Sequence, residues 1–221
     1  MNARNYQKEL DRIIEKNAGT KPTLLLHSCC GPCSSSVLEY ITQYFTVTLL
    51  WYNPNLFPEE EFERRYAAQV QVIEKMGLAD RVKVVREPWQ SERYYSRIKG
   101  LEDLPEGGAR CTECFRLRLE EAAEYAAAHG FDRFCSTLTL SRHKDAARIN
   151  RLGEEIAART GIGWLPSDFK KRGREDRSLE ICQQYGIYRQ LYCGCEFSLR
   201  HREKVAEEKA AEEIAAADRI E

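Results

Sequence analysis

The chain has 221 residues, 43% of them apolar and 31% charged, with 34 lysines and arginines against 35 aspartates and glutamates. This suffices for one α/β domain with its own core, or one domain and a small lobe, and excludes a disordered protein. No apolar run approaches the roughly 20 residues of a bilayer span, and a net charge of -1 gives no global attraction to nucleic acid.

Helical and strand patterns then alternate along the chain. Apolar residues at helical spacing, with Gly or Pro at the ends, predict helices over residues 4–16, about 33–44, 58–76, 111–129 and 145–160. Short apolar runs predict strands over residues 23–27, 46–52, 82–85 and 133–137. Residues 202–221 carry four bases and seven acids on an Ala-rich background, a composition typical of a solvated terminal helix.

This order of elements predicts a fold and the place of its functional site. Strands joined by helical crossovers form a mostly parallel, Rossmann-like α/β sheet with helices on both faces. We expect a single catalytic domain over residues 1–201 and an acidic helical tail over 202–221. Such sheets bind ligands beyond the carboxyl ends of their strands, where three loops fall: the one after residue 27, the 53–55 turn and the 136–143 loop.

The nine cysteines are the most informative residues. The amino terminus resembles neither a secretory signal nor a transit peptide, so a cytoplasmic location is expected, where clustered thiols more often hold metal or perform redox chemistry than form structural disulfides. Seven of the nine fall in tight groups: Cys29, Cys30 and Cys33, then Cys111 and Cys114, then Cys193 and Cys195. Both Cys-x-x-Cys pairs lie where a loop enters a helix, whose N–H groups stabilise thiolates. Cys135 and Cys182 are expected to be small core residues.

The residues alone leave several cysteine chemistries open. The string from Cys30 to Cys33 is that of thioredoxin, but Cys29 stands where thioredoxin-like folds carry an aromatic residue. Four thiolates from two pairs suit tetrahedral zinc as well as an iron–sulfur cluster, which we favour. Cys193 and Cys195 could add ligands, form a tight and easily reduced disulfide, or be two thiols without chemistry.

Phosphate-binding signals are mixed. The loop after residue 27 contains neither Gly-x-Gly-x-x-Gly nor Ser-Gly-Gly-x-Asp, so ATP use is not predicted. The basic stretch over residues 170–174 is either a solvated face or an RNA-binding patch. Aromatic neighbours that could stack bases favour the patch. Its candidate RNA contacts are Lys170, Lys171, Arg172 and Arg174.

Six motifs together resemble one known family. They occupy residues 27–33, 51–55, 111–114, 136–141, 168–170 and 192–195. In combination, over residues 23–197, the chain resembles the cobalamin-independent epoxyqueuosine reductases, the QueH family. The resemblance implies a fold like that of the adenine-nucleotide α-hydrolases, used for redox chemistry without ATP or cobalamin.

The resemblance also implies roles for the grouped cysteines. It assigns Cys29, Cys30, Cys111 and Cys114 to a [4Fe-4S] cluster, and it assigns a redox-active disulfide to the cysteines at positions 193 and 195. Family members can hold an additional iron beside the cluster, and some carry an acidic residue where this chain has Cys33. Cys33 is therefore a candidate ligand of that iron.

The implied reaction is the last step of queuosine formation, a two-electron removal of the epoxide oxygen from epoxyqueuosine in a tRNA anticodon loop. The base would have to leave its stack to reach the sheet edge. Iron would polarise the oxygen as a Lewis acid, and the cluster would deliver electrons. The implied partners are that tRNA and a low-potential electron donor, with no membrane. A zinc-stabilised RNA-binding module and a thiol–disulfide oxidoreductase are the alternatives from other classes.

Overall fold

The computed structural model describes the backbone of residues 4–217 and the side chains of residues 4–212. The helices are α1 (Tyr6–Lys16), α2 (Gly31–Ile41), α3 (Glu59–Lys75), α4 (Ser91–Arg97), α5 (Ala109–Ala128), α6 (Ala146–Thr160), α7 (Arg174–Tyr185) and α8 (Glu196–Ala217). The strands are β1 (Thr23–His27), β2 (Thr46–Trp51), β3 (Val82–Arg86), β4 (Arg133–Ser136) and β5 (Gly163–Trp164). Two short 3₁₀ turns, Thr137–Leu140 and Lys171–Gly173, follow β4 and β5.

The five strands form one parallel sheet in the order β3-β2-β1-β4-β5. β1 is central, and its Leu24, Leu25 and Leu26 are fully buried, each contributing about 1.5–3 kcal/mol of hydrophobic stabilisation. The order reverses between β1 and β4, which opens a crevice at the carboxyl ends of these two strands. The predicted parallel α/β fold is thus confirmed.

Two elements have no counterpart in the predicted pattern. β5 has only two residues, Gly163 and Trp164, which pair with β4 and are too few to show a period. α4 has seven residues, less than the length at which helical periodicity is distinctive. Both depend on packing against neighbours that the local sequence does not reveal.

The last helix crosses the predicted domain boundary. α8 begins at Glu196 and continues to Ala217, so residue 201 lies inside a helix rather than at its start. Residues 218–221 of the predicted tail lie outside the residues that the structure describes. Within residues 4–217, none of the helices combines the length and the apolar character that crossing a membrane requires.

Candidate metal and redox site

The turn from β1 into α2 gathers three sulfurs. Cys30 is the N-cap of α2, and its Sγ accepts a hydrogen bond from the Cys33 backbone N–H at 3.4 Å. Gly31 is required because a Cβ there would lie 2.6 Å from the Ala68 carbonyl oxygen of α3. The Sγ atoms of Cys29, Cys30 and Cys33 consequently lie within 4.8 Å of one another.

These three thiols do not ionise equally. Hydrogen bonds with Cys30 and Cys33 hold the pKa of the Cys29 thiol well below its usual value. Burial raises the pKa of Cys30 to about 12, and the hydrogen bond with Cys29 raises the pKa of Cys33. Gln190 donates from Nε2 to the Cys30 Sγ at 3.0 Å. Cys29 is therefore the thiol that first becomes a thiolate, the form that binds metal.

Two further sulfurs lie in the first turns of α5. The Cys111 Sγ accepts a hydrogen bond from the Gly107 N–H at 3.2 Å, and the Cys114 Sγ accepts one from Arg118 at 3.3 Å. Burial raises the pKa of Cys114 to about 12, a net value to which the nearby thiols of Cys193 and Cys195 also contribute and which the charge of Arg118 opposes. The second Cys-x-x-Cys pair thus lies within electrostatic reach of the Cys-x-Cys pair.

The loop that carries Cys193 and Cys195, the late loop, is held in place by hydrogen bonds to its backbone carbonyl oxygens. Arg65 of α3 donates to the carbonyl oxygens of Tyr192 and Cys193 at 3.2 and 3.0 Å. The Phe57 N–H donates to the Gly194 carbonyl at 2.9 Å. Both cysteines are thiols, and no disulfide joins any cysteines within residues 4–217.

A cavity of about 440 Å³ opens at this edge of the sheet. Its walls include Cys29 from the turn after β1, Cys33 from the first turn of α2 and Cys193 from the late loop, together with Lys144 and Gln190. This volume is in the range of small-molecule sites. Since thiols from two distant segments line one cavity, a bound molecule could contact both.

His27 lies beneath the sulfurs as a structural residue. Its Nε2 lies 3.1 Å from the Tyr52 carbonyl, and its Nδ1 lies 2.8 Å from the Ser136 hydroxyl. Because a carbonyl only accepts, Nε2 carries the proton, and Nδ1 accepts from Ser136. Burial first, and then the charge of Arg118, lower the pKa of His27 to about 4. His27 is therefore neutral, and it ties the ends of β1, β2 and β4 together.

The predicted loops do meet at one edge. The Cys29 N–H donates to the Thr137 hydroxyl at 3.3 Å, and Asn53 donates from Nδ2 to the Ser28 carbonyl at 2.8 Å. Cys135 and Cys182 are buried in β4 and α7, as expected for core residues. No sequence motif marks Arg65, Arg118, Lys144 or Gln190 as site residues; the one available signal is the four-residue spacing of Cys114 and Arg118.

The four candidate RNA contacts of the basic stretch differ in their burial and in their partners. Arg174 is buried, stacks on the Tyr40 ring at 3.8 Å and donates to Gln7 at 2.9 Å. It therefore serves packing and is not exposed to a phosphate, contrary to what a solvent-facing RNA contact requires. Lys170 donates to the carbonyls of Thr139 and Lys144 at 3.4 Å. Lys171 and Arg172 are exposed, and Arg172 pairs with Asp11 at 2.5 Å.

Comparison with known proteins places the chain in a family. A family model described as epoxyqueuosine reductase QueH matches residues 24–201. The chain is 43% identical over 202 residues to the epoxyqueuosine reductase QueH of Staphylococcus epidermidis, covering 88% of this chain and 84% of the relative. It is 37% identical over 204 residues to that of Streptococcus pyogenes, covering 89% and 80%. With that of Thermotoga maritima it shares 34% over 186 residues, covering 84% and 95%.

These matches agree with the motifs on which the family was predicted. The match over residues 24–201 includes all nine cysteines. The chain therefore belongs to the epoxyqueuosine reductase QueH family, whose members are oxidoreductases of queuosine biosynthesis.

Proposed function

We propose that this protein reduces epoxyqueuosine to queuosine in a tRNA anticodon loop by means of a [4Fe-4S] cluster. Cys29, Cys30, Cys111 and Cys114 would hold the cluster, and Cys193 with Cys195 would be the redox-active pair. The observation that carries the proposal is that thiols from two distant segments, those of Cys29 and Cys33 and that of Cys193, line one cavity at the carboxyl edge of the sheet, while Cys114 of α5 lies within electrostatic reach of Cys193 and Cys195.

The residues present fit an iron–sulfur group. Its ligands are soft thiolates, and the candidate sulfurs are buried or partly buried with hydrogen-bond donors at Cys30, Cys111 and Cys114. Such donors help to set the reduction potential of a cluster. When bound, the cluster supplies single electrons at low potential, and an additional iron at Cys33 supplies Lewis acidity toward oxygen.

Oxidation of Cys193 and Cys195 to a disulfide would release as many electrons and protons as the reduction of an epoxide consumes. Conversion of an epoxide to an alkene and water consumes two electrons and two protons. Oxidation of the thiols of Cys193 and Cys195 to a disulfide releases two electrons and two protons, and an external low-potential donor then reduces the disulfide again. Cys193 faces the cavity that Cys29 also lines, so the pair lies beside the proposed substrate site.

The cavity itself suits an extruded base. It is bounded by the polar or charged side chains of Lys144, Gln190 and Tyr192, which can orient a modified nucleoside. Lys171 and Arg172 would contact the tRNA backbone outside the cavity. The cysteine-bearing α/β unit would perform the chemistry, and the acidic part of α8 would add no ligand.

The test joins a chemical and a spectroscopic measurement. Anaerobically reconstituted protein should be brown with a visible band that dithionite bleaches. With a reductant it should convert tRNA from cells blocked at the final step, so that the nucleoside becomes lighter by one oxygen. C111S should lose cluster and activity, and C193S should keep the cluster and lose activity.

The control is C182S, because Cys182 is buried in α7 and is not among the cysteines proposed to hold the cluster or to form the redox pair; it should retain both properties. A colourless protein that carries only zinc would instead favour a zinc-stabilised RNA-binding module. A metal-free but active dithiol would favour a thiol–disulfide oxidoreductase. Full cluster content and activity in C111S would refute the ligand assignment.

A further inference from the structure

Arg118 is a buried cation with an unusual environment. It lies one turn after Cys114 on α5 and is 2% exposed. Its Nε donates to the Cys114 carbonyl at 3.1 Å, and a terminal nitrogen donates to the Cys114 Sγ at 3.3 Å. Among the residues whose side chains the structure describes, no carboxylate lies within 4.0 Å of its guanidinium.

Burying such a charge without a counter-charge is unfavourable. A guanidinium does not lose its proton in proteins, and the effective penalty for an unpaired buried ion is several kcal/mol. Arg65 is equally buried, but it pairs with Glu61 at 2.7 Å. Arg118 has sulfurs instead: the charged forms of Cys114, Cys29 and Cys193 are the groups that stabilise it most. His27 nearby is neutral and offers no compensation.

We propose that Arg118 is the counter-charge of the metal-bound thiolates, and that its positive charge both retains the metal and raises the reduction potential of the bound cluster. This inference rests on the proposed function for the cluster, but its first part applies to any thiolate-bound metal. Thiolates must be deprotonated to bind, so each ligand brings a negative charge into a buried space. Arg118 is a positioning and electrostatic residue, and it contacts no substrate in this scheme.

The sign of the effect on the potential follows from the same charge. Reduction adds one electron to a group that is already anionic through its cysteine ligands. A fixed cation close to Cys114 and Cys29 stabilises the reduced form more than the oxidised form. Removal of the cation should therefore shift the midpoint potential in the negative direction and weaken metal retention.

Two variants separate the charge of Arg118 from its packing. R118M keeps the length of the side chain and removes the charge, whereas R118K keeps the charge and removes the planar fork. R116Q is the matched control, because Arg116 lies on the same helix and pairs with Glu113 and Glu155 at 3.3 and 3.2 Å. R116Q is expected to behave as the unmutated chain does.

The first measurement uses Co²⁺ alone as the probe of the thiolate site. Titration of the metal-free, reduced protein is followed through the sulfur-to-cobalt charge-transfer absorption. R118M should bind Co²⁺ about tenfold more weakly, the usual size of an outer-shell effect, and R118K should bind more tightly than R118M. Urea unfolding of the metal-free chain should show little loss of stability in R118M, because the substitution removes a buried charge.

The second measurement uses protein reconstituted with iron and sulfide under anaerobic conditions. R118M should hold less iron and sulfide per chain, and its midpoint potential in a dye-mediated titration should be more negative than that of R116Q. If R118M binds Co²⁺ as tightly as the unmutated chain, or if R118K loses as much affinity as R118M, the charge has no such role. If the unmutated chain binds Co²⁺ but takes up no sulfide, the iron–sulfur proposal fails, and the cobalt comparison still decides the role of Arg118.

Discussion

Gly194, between the two late cysteines, is the residue at which backbone conformation and site geometry are most closely linked. Its φ of +129° lies in a region that L side chains rarely adopt. A Cβ at this position would lie 2.4 Å from Cδ2 of Leu56 and 2.8 Å from a guanidinium nitrogen of Arg65. The glycine is therefore required both by its own conformation and by the two side chains that enclose it.

The substitution G194A should thus lower the free energy of unfolding by about 1–3 kcal/mol and displace the two thiols. We expect a change in the redox potential of the Cys193 and Cys195 pair, measured in thiol–disulfide buffers with alkylation and mass spectrometry. The control is G186A, where φ is also positive, at 63°, but nothing lies within 4 Å of the added Cβ. If G194A costs no more stability than G186A and leaves the potential unchanged, the enclosure of Gly194 has no consequence for the pair.

At the scale of elements, α3 positions the late loop through a buried ion pair. Arg65 pairs with Glu61 one turn earlier at 2.7 Å and is stacked over the Tyr192 ring at 5.0 Å. Glu61 also accepts a hydrogen bond from the Tyr188 hydroxyl at 3.0 Å. The helix thereby holds residues on both sides of Gln190, and this linkage fixes the wall of the cavity.

A double-mutant cycle measures the coupling between Arg65 and Glu61, on which the hold of α3 on the loop depends. R65M alone leaves the buried carboxylate of Glu61 without its cation, and breaking such a pair typically costs about 3–5 kcal/mol of unfolding free energy. E61Q together with R65M removes the unpaired charge and should recover part of the loss. Urea unfolding of the four proteins gives the coupling. Equal losses in R65M and in the double variant would show that leaving the Glu61 carboxylate unpaired does not destabilise the chain.

The helices and strands that the sequence predicts are those whose own residues carry a clear pattern of apolar positions. The alternation of apolar runs and amphipathic stretches identified β1 to β4 and the five longest helices of the first 160 residues, and the parallel arrangement placed three loops at one edge. β5 and α4 escaped because their stability depends on neighbouring elements.

The sequence predicts the grouped cysteines of the candidate site but not the residues that surround them. Cysteine spacing marked the three groups of thiols without any structure. By contrast, the spacing of Cys114 and Arg118 shows only that they share a helix face; the burial of Arg118 and its lack of a carboxylate partner are tertiary facts. For the same reason the sequence presents Arg174 as a candidate RNA contact, whereas the packing of α1 and α2 around it makes it a core residue.

At the scale of the whole molecule, the basic stretch and the cavity lie on the same side of the sheet. Lys170 donates to the carbonyl of Lys144, which lines the cavity. His201 and Arg202 of α8 line the cavity too. The predicted boundary between residues 201 and 202 thus divides two neighbours in the cavity wall, and the cations around the opening come from segments far apart in the sequence.

This arrangement makes a distinct prediction for tRNA binding. Lys171 and Arg172 are the exposed members of the basic stretch, and neutralising one cation that binds a phosphate should lower the slope of log K against log salt by about 1. K171Q/R172Q should therefore bind tRNA more weakly at low salt and with a slope reduced by about 2. The measurement is a filter-binding or fluorescence titration of tRNA at several salt concentrations.

The matched control for that experiment is K75Q/K83Q, which removes two exposed lysines at the far side of the molecule. Lys75 ends α3, and Lys83 belongs to the edge strand β3, at the opposite end of the strand order from β5. Because helices that cross over between parallel strands end near the amino edge of the sheet, Lys75 faces away from the cavity. If both double variants weaken binding equally, the tRNA senses only net charge; if only K75Q/K83Q weakens it, the RNA surface lies on the other edge.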